Sequence, residues 1–83
     1  IFKVQIAASS RKLLTKSYNF KGLSDISRNQ QGKIYKYFYG NTSDFNEAKV
    51  LKDNAKAKGY STCFIVAYKN GIKIPIEEAL KRP

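Results

Sequence analysis

The chain has 83 residues and carries 16 Lys and Arg against 6 Asp and Glu, a net charge of +10, with 42% apolar and 13% aromatic residues. That length builds one small domain and no second core, the apolar content excludes a disordered tail, and no apolar run approaches the ~20 residues that cross a bilayer. The excess of cations calls for an anionic partner, whether nucleic acid, anionic lipid or an acidic glycan.

In chain order, residues 1–8 alternate as a strand, with Phe2, Val4 and Ile6 to one side and Lys3 and Gln5 to the other. The pattern is already running at Ile1, as in a module cut from a longer protein. Ser9 and Ser10 can cap a helix through Arg11-Lys12-Leu13-Leu14, but Tyr18-Asn19-Phe20-Lys21-Gly22 interrupts the helical pattern, so the first helix is short or irregular. Leu23 to Arg28 reads as a second strand, Asn29-Gln30-Gln31-Gly32 as a turn, and Lys33 to Tyr39 as a third strand dense in aromatic and β-branched residues.

Asn41-Thr42-Ser43-Asp44 breaks that strand and starts a helix whose apolar positions Phe45, Ala48, Leu51 and Ala55 recur at helical spacing. Gly59 ends it. A fourth strand spans Thr62 to Lys69, Asn70-Gly71 makes a tight turn, and Ile72-Lys73-Ile74 pairs back briefly. Pro75 stops that strand, and Ile76 to Lys81 form a last helical turn. Cys63, the single cysteine, reads as a small apolar strand residue and excludes an internal disulfide.

The order β-α-β-β-α-β predicts an α+β fold of the ferredoxin-like or RNP-like kind. It has a four-stranded antiparallel sheet with both helices on one face, plus a short C-terminal hairpin. An internal echo strengthens this. Phe2-Lys3-Val4-Gln5-Ile6-Ala7 returns as Tyr35-Lys36-Tyr37-Phe38-Tyr39-Gly40, an offset of 33 (35 − 2), and a polar pair comes after each copy, Ser9-Ser10 and Thr42-Ser43. Such a duplication sets two like strands side by side. Phe2, Val4, Ile6, Tyr35, Tyr37 and Tyr39 go to the core, and Lys3, Gln5, Ile34, Lys36 and Phe38 to an open face. Ile34 and Phe38 facing water point to a ligand surface rather than to stability.

Catalytic chemistry is not expected. There is no His, no Cys pair and no Gly-rich phosphate loop, and the carboxylates Asp25, Asp44, Glu47, Asp53, Glu77 and Glu78 are scattered. A metal centre needs converging ligands, and acid–base work needs a carboxylate or imidazole in a cleft. The reading is a non-enzymatic binding module without cofactor or metal.

The residues resemble those of the SPOR family, the sporulation-related repeat of bacterial cell-envelope proteins. That family opens on aromatic-x-Val-Gln-x-Gly-Ser-Phe and repeats a related aromatic-Arg-Val-x-x-Gly-Pro-Phe at its third strand. The counterparts are Phe2 to Ala8 and Tyr35 to Gly40, with Phe45 opening the second helix. Phe64 to Pro75 looks like modules appended to N-acetylmuramoyl-L-alanine amidases and other wall-associated proteins. Ala7, Ala8 and Ser9 stand where the family has Gly, Ser and an aromatic residue.

The resemblance implies binding of peptidoglycan glycan strands denuded of stem peptides, by a monomeric module that brings a larger periplasmic protein to the division septum. Gln5, Lys3, Ile34, Lys36 and Phe38 would form the glycan surface. The alternative is an RNA-recognition-type module, which uses the same strands to stack bases. Against it, Lys33 to Tyr39 lacks the Gly-aromatic-Gly core, and 13 of the 16 cations are Lys where base and phosphate recognition favours Arg. A domain that regulates its parent enzyme through the open face is a further alternative.

Overall fold

The computed structural model describes residues 1–81. Alternation makes β1 (Phe2–Ser9) a strand with Phe2, Val4 and Ile6 buried. β2 (Ile26–Gln31) and β3 (Ile34–Thr42) form a hairpin, α1 (Phe45–Ala57) comes next, and β4 (Phe64–Lys69), β5 (Ile72–Ile74) and α2 (Ile76–Leu80) complete the chain. The five strands form one antiparallel sheet in the order β2-β3-β1-β4-β5. The molecule is thus α+β, with β5 extending the expected four strands to five.

The two echoed strands are neighbours at the centre of this sheet. Gln5 of β1 lies opposite Phe38 of β3, its equivalent in the repeat. The β1–β3 register shifts twice, between Phe2 and Val4 and between Gln5 and Ala7. Between Val4 and Phe2 the β3 partners run from Tyr39 to Thr42, which leaves an extra residue in β3 at Gly40-Asn41; between Gln5 and Ala7 the extra residue is Ile6 of β1. The bulges fall close to corresponding places of the two repeats, Ile6 being the counterpart of Tyr39, next to Gly40-Asn41, and each flips the side-chain alternation once. Glycine is required at the β3 bulge. The φ of Gly40 is +79°, and an added Cβ would lie 2.5 Å from Leu51 Cδ1 on α1.

Both helices cover one face. α1 buries Ala48 and Ala55 and packs Leu51 against Val4, Ile6 and Tyr37. At its start, Asp44 accepts the Asn46 N–H at 2.9 Å. At its end, Gly59 turns with φ +107° while the Tyr60 N–H donates to the Ala55 carbonyl at 3.1 Å. α2 closes a second cluster, in which Ile76 and Ala79 pack on Phe2, Ala48 and Ala67.

The first crossover departs from expectation. No α-helix forms between β1 and β2; residues 10–25 are a loop with one 3-10 turn, Ser17–Asn19. Ser9 does act as a cap in miniature, its hydroxyl accepting the Arg11 N–H at 3.0 Å, but no apolar stripe comes after it to sustain a helix. Phe20 and Leu23 instead enter the core beside Tyr37. Leu23 therefore lies outside the strand predicted for it, and β2 begins only after Asp25, whose φ is +55°. β2 then continues through Asn29, Gln30 and Gln31, which were expected to turn; Gln31 pairs with Ile34 across a two-residue Gly32-Lys33 link. β4 begins at Phe64 rather than Thr62, and Cys63 is buried just ahead of it in a turn closed by its N–H on the Tyr60 carbonyl.

Candidate functional site

The face of the sheet away from the helices is set by pairing. Directly opposed residues share a face, so Lys3 with Val66, Gln5 with Phe38 and Phe64, Ser27 with Phe38, Asn29 with Lys36, and Tyr68 with Lys73 all lie on it. None of the five strands contains an Asp or Glu. The six carboxylates sit on loops and helices, so the strands contribute only positive charge to this face.

Lys3 is the centre of the arrangement. Its ammonium stands 5.7 Å from the Phe38 ring centroid and 5.5 Å from that of Tyr68. The two rings meet edge to face across β1, with centroids 5.9 Å apart and planes at 88°. Beside them an open groove of about 460 Å³ is lined by Lys3, Phe38, Tyr68, Ser27, Asn41 and Gly71. Burial pushes the Tyr68 phenol above its ordinary 10.0.

The five residues singled out from sequence all lie on this face, but they are not equivalent. Lys3, Gln5 and Phe38 come together, with Gln5 half-buried between Phe38 and Phe64. Lys36 is two residues along β3, half-buried, opposite Ala8 and Asn29. Ile34 is 41% exposed but sits at the hairpin end, about 13 Å along the strand from Phe38, and is no part of the groove. Phe38 is corrected in one respect. It was expected to face water, yet it is only 2% exposed, because Lys3 and Tyr68 fold over it from the neighbouring strands.

Phe64 and Tyr68 were not among the residues expected at the site. Phe64 is the most exposed aromatic of the sheet, at 46%. Phe64-Ile65-Val66-Ala67 is apolar at every position, so alternation does not say which residues face out. The pairing of Gln5 with Phe64 decides it.

Chemically the face offers a cation held over aromatic rings, carboxamides from Gln5, Asn29 and Asn41, and hydroxyls from Ser27 and Tyr68. It can bind an anionic, hydroxyl-rich ligand lying along it. Among the described residues, no three His, Cys, Asp or Glu side chains gather as metal ligands, and no helix is long and apolar enough to cross a membrane. Neither a protein-family model, nor a curated protein, nor a solved structure matches this chain.

Proposed function

We propose that the chain is a SPOR-like module that binds peptidoglycan glycan strands denuded of their stem peptides and brings a larger periplasmic protein to the septum. The observation that carries this reading is Lys3, poised over Phe38 and Tyr68 beside Gln5 on a sheet face whose strands hold no carboxylate. Removing stem peptides leaves a lactyl carboxylate on each muramic acid, and a denuded strand is then a polyanion of regular spacing. Lys3 and Lys36 would meet carboxylates, Gln5 an acetamido group, and Phe64 and Tyr68 the faces of sugar rings.

The fold supports the same reading. Four of the five strands run β2-β3-β1-β4, an order compatible with a ferredoxin-like sheet, with β5 added beyond β4 and a loop in place of the first helix. Exposed contacts of this kind contribute about 1 kcal/mol each, so a single module binds at micromolar strength or weaker and gains by avidity along the polymer. The RNA-type alternative draws on exposed Phe64. It is disfavoured because Phe38, the central ring on β3, is covered and cannot stack a base.

The test is co-sedimentation with intact sacculi and with sacculi stripped by an amidase. Stripping is expected to raise binding, and Gln5→Ala and Lys36→Glu should each lower it about five- to tenfold with little change in Tm. Equal, salt-sensitive binding to both preparations would reduce the interaction to a +10 protein meeting a polyanion.

A further inference from the structure

The loop that replaces the first helix is the second unusual surface of the molecule. Its backbone is clamped from the sheet. The Tyr37 hydroxyl accepts the Leu13 N–H at 2.7 Å and donates to the Arg11 carbonyl at 2.9 Å, and Arg28 Nη1 donates to the Leu13 carbonyl at 2.7 Å. Asn19 closes the turn, its side chain on the Leu14 carbonyl at 2.9 Å and its N–H on the Lys16 carbonyl at 3.0 Å. Held this way, the loop leaves Leu14 62% and Tyr18 68% exposed. The same loop carries the exposed cations Arg11, Lys12, Lys16 and Lys21, the last with its ammonium 4.8 Å from the Tyr60 ring centroid. No carboxylate occurs before Asp25, and where α1 comes up to the loop it adds Lys58, whose ammonium lies 4.0 Å from a Cβ placed on Gly22.

We propose that this loop is a contact site for an anionic lipid surface, with Leu14 and Tyr18 entering the boundary between headgroups and acyl chains. Charge complementarity selects the partner. Four loop cations with no carboxylate between Arg11 and Lys21 match a negative bilayer surface, and an aliphatic side chain gains from hydrocarbon what a hydrated glycan cannot offer it. The hydrogen bonding fits as well. The carbonyls of Arg11, Leu13 and Leu14 and the Leu13 N–H are already bonded within the protein, so approach to lipid strands none of them. Phe20 and Leu23 anchor the loop on the helix-bearing side of the sheet. A lipid surface met there leaves the open face free, and the inference stands independently of what that face binds.

The experiment is flotation with phosphatidylcholine vesicles, with and without phosphatidylglycerol. Binding is expected only to the anionic vesicles, and a Leu14→Ser, Tyr18→Ser double variant should lower partitioning about tenfold or more at unchanged Tm. The chain has no Trp, so Tyr18→Trp supplies a lone reporter whose emission should shift to the blue on anionic vesicles. Any of three outcomes on vesicles would overturn the proposal: undiminished partitioning of the double variant, Trp emission that stays at its aqueous position on bound vesicles, or equal binding to neutral vesicles. A parallel loss of binding to stripped sacculi in the double variant would also overturn it, by assigning the loop to the glycan surface. Gln5→Ala should leave vesicle binding unchanged, which separates a failure here from a failure of the glycan reading.

Discussion

The two crossovers of this sheet begin alike and end differently. Each leaves a strand of the same pattern through a pair of hydroxyl residues, Ser9-Ser10 in one and Thr42-Ser43 in the other. After Thr42-Ser43, apolar residues fall at 45, 48, 51 and 55 on one stripe, and α1 forms. After Ser9-Ser10, Leu13 and Leu14 are adjacent, and the next apolar residues to be buried are Phe20 and Leu23. A helix satisfies its own interior backbone groups, whereas an irregular segment must find partners elsewhere. Here Tyr37 and Arg28 reach out of the sheet to supply them. Tyr37 does this while it is fully buried, with its ring against Phe20 at 5.1 Å. A capping residue at a strand end therefore does not decide whether a helix forms; the spacing of the next few apolar residues does.

Four measurements would break or sharpen that contrast. The largest effect is expected from Phe20→Ala, about 3–5 kcal/mol in urea denaturation, because the loop crossover has so few buried side chains. A loss below about 1 kcal/mol would mean that the loop merely drapes over a core closed without it. Tyr37→Phe keeps the ring but leaves the Leu13 N–H and Arg11 carbonyl without their partner, a loss of about 2 kcal/mol. Hydrogen exchange should quicken at the Leu13 amide and stay slow in the middle of α1; equal quickening in both would show that the crossovers open as one unit.

Asp44→Ala removes the α1 cap and should lower stability by about 1 kcal/mol, with a small loss of helical circular dichroism and loop exchange unaffected. The smallest effect lies at alkaline pH. Burial raises the Cys63 thiol and the Tyr60 phenol above their ordinary 9.0 and 10.0, although Lys56 and Lys52 pull the thiol back. The folded state favours the protonated forms, so this contribution is full below pH 9 and is lost as pH rises through the raised values. Tm should fall over that interval, and less steeply in Tyr60→Phe.

Much of the architecture was legible because it rested on local signals. Alternation placed β1 and β3, the stripe from Phe45 to Ala55 placed α1, and Asn70-Gly71 placed the last hairpin. The echo of Phe2–Ala7 in Tyr35–Gly40 made the two central strands neighbours. The features that escaped depended on tertiary context. β2 continues through Asn29, Gln30 and Gln31 because β3 pairs with it there, although those residues favour turns. At the site, Lys3, Gln5 and Phe38 were legible as sharing a face, while the burial of Phe38 was not. It depends on Tyr68, 30 residues further on (68 − 38), reaching across β1. Phe64 was hidden by an apolar run whose facing only its pairing with Gln5 decides.

The paired bulges carry one more consequence. They slip the register in opposite senses, so pairing at Phe2–Thr42 and at Ser9–Tyr35 keeps a common sum of residue numbers (44 in each), while Gln5–Phe38 between them sums to 43. Exchanging the two repeats carries Gln5 to Phe38 and the Phe2–Thr42 pair onto Ser9–Tyr35. The centre of the sheet therefore has an approximate two-fold axis through the Gln5–Phe38 pair, with Lys3 and Lys36 as its mates. A linear ligand crossing at that axis would find an ammonium at matching places from either end, and the two central strands alone could scarcely tell it from its reverse. Any sense of polarity would have to come from the flanks that break the symmetry, polar β2 on one side and aromatic β4 on the other.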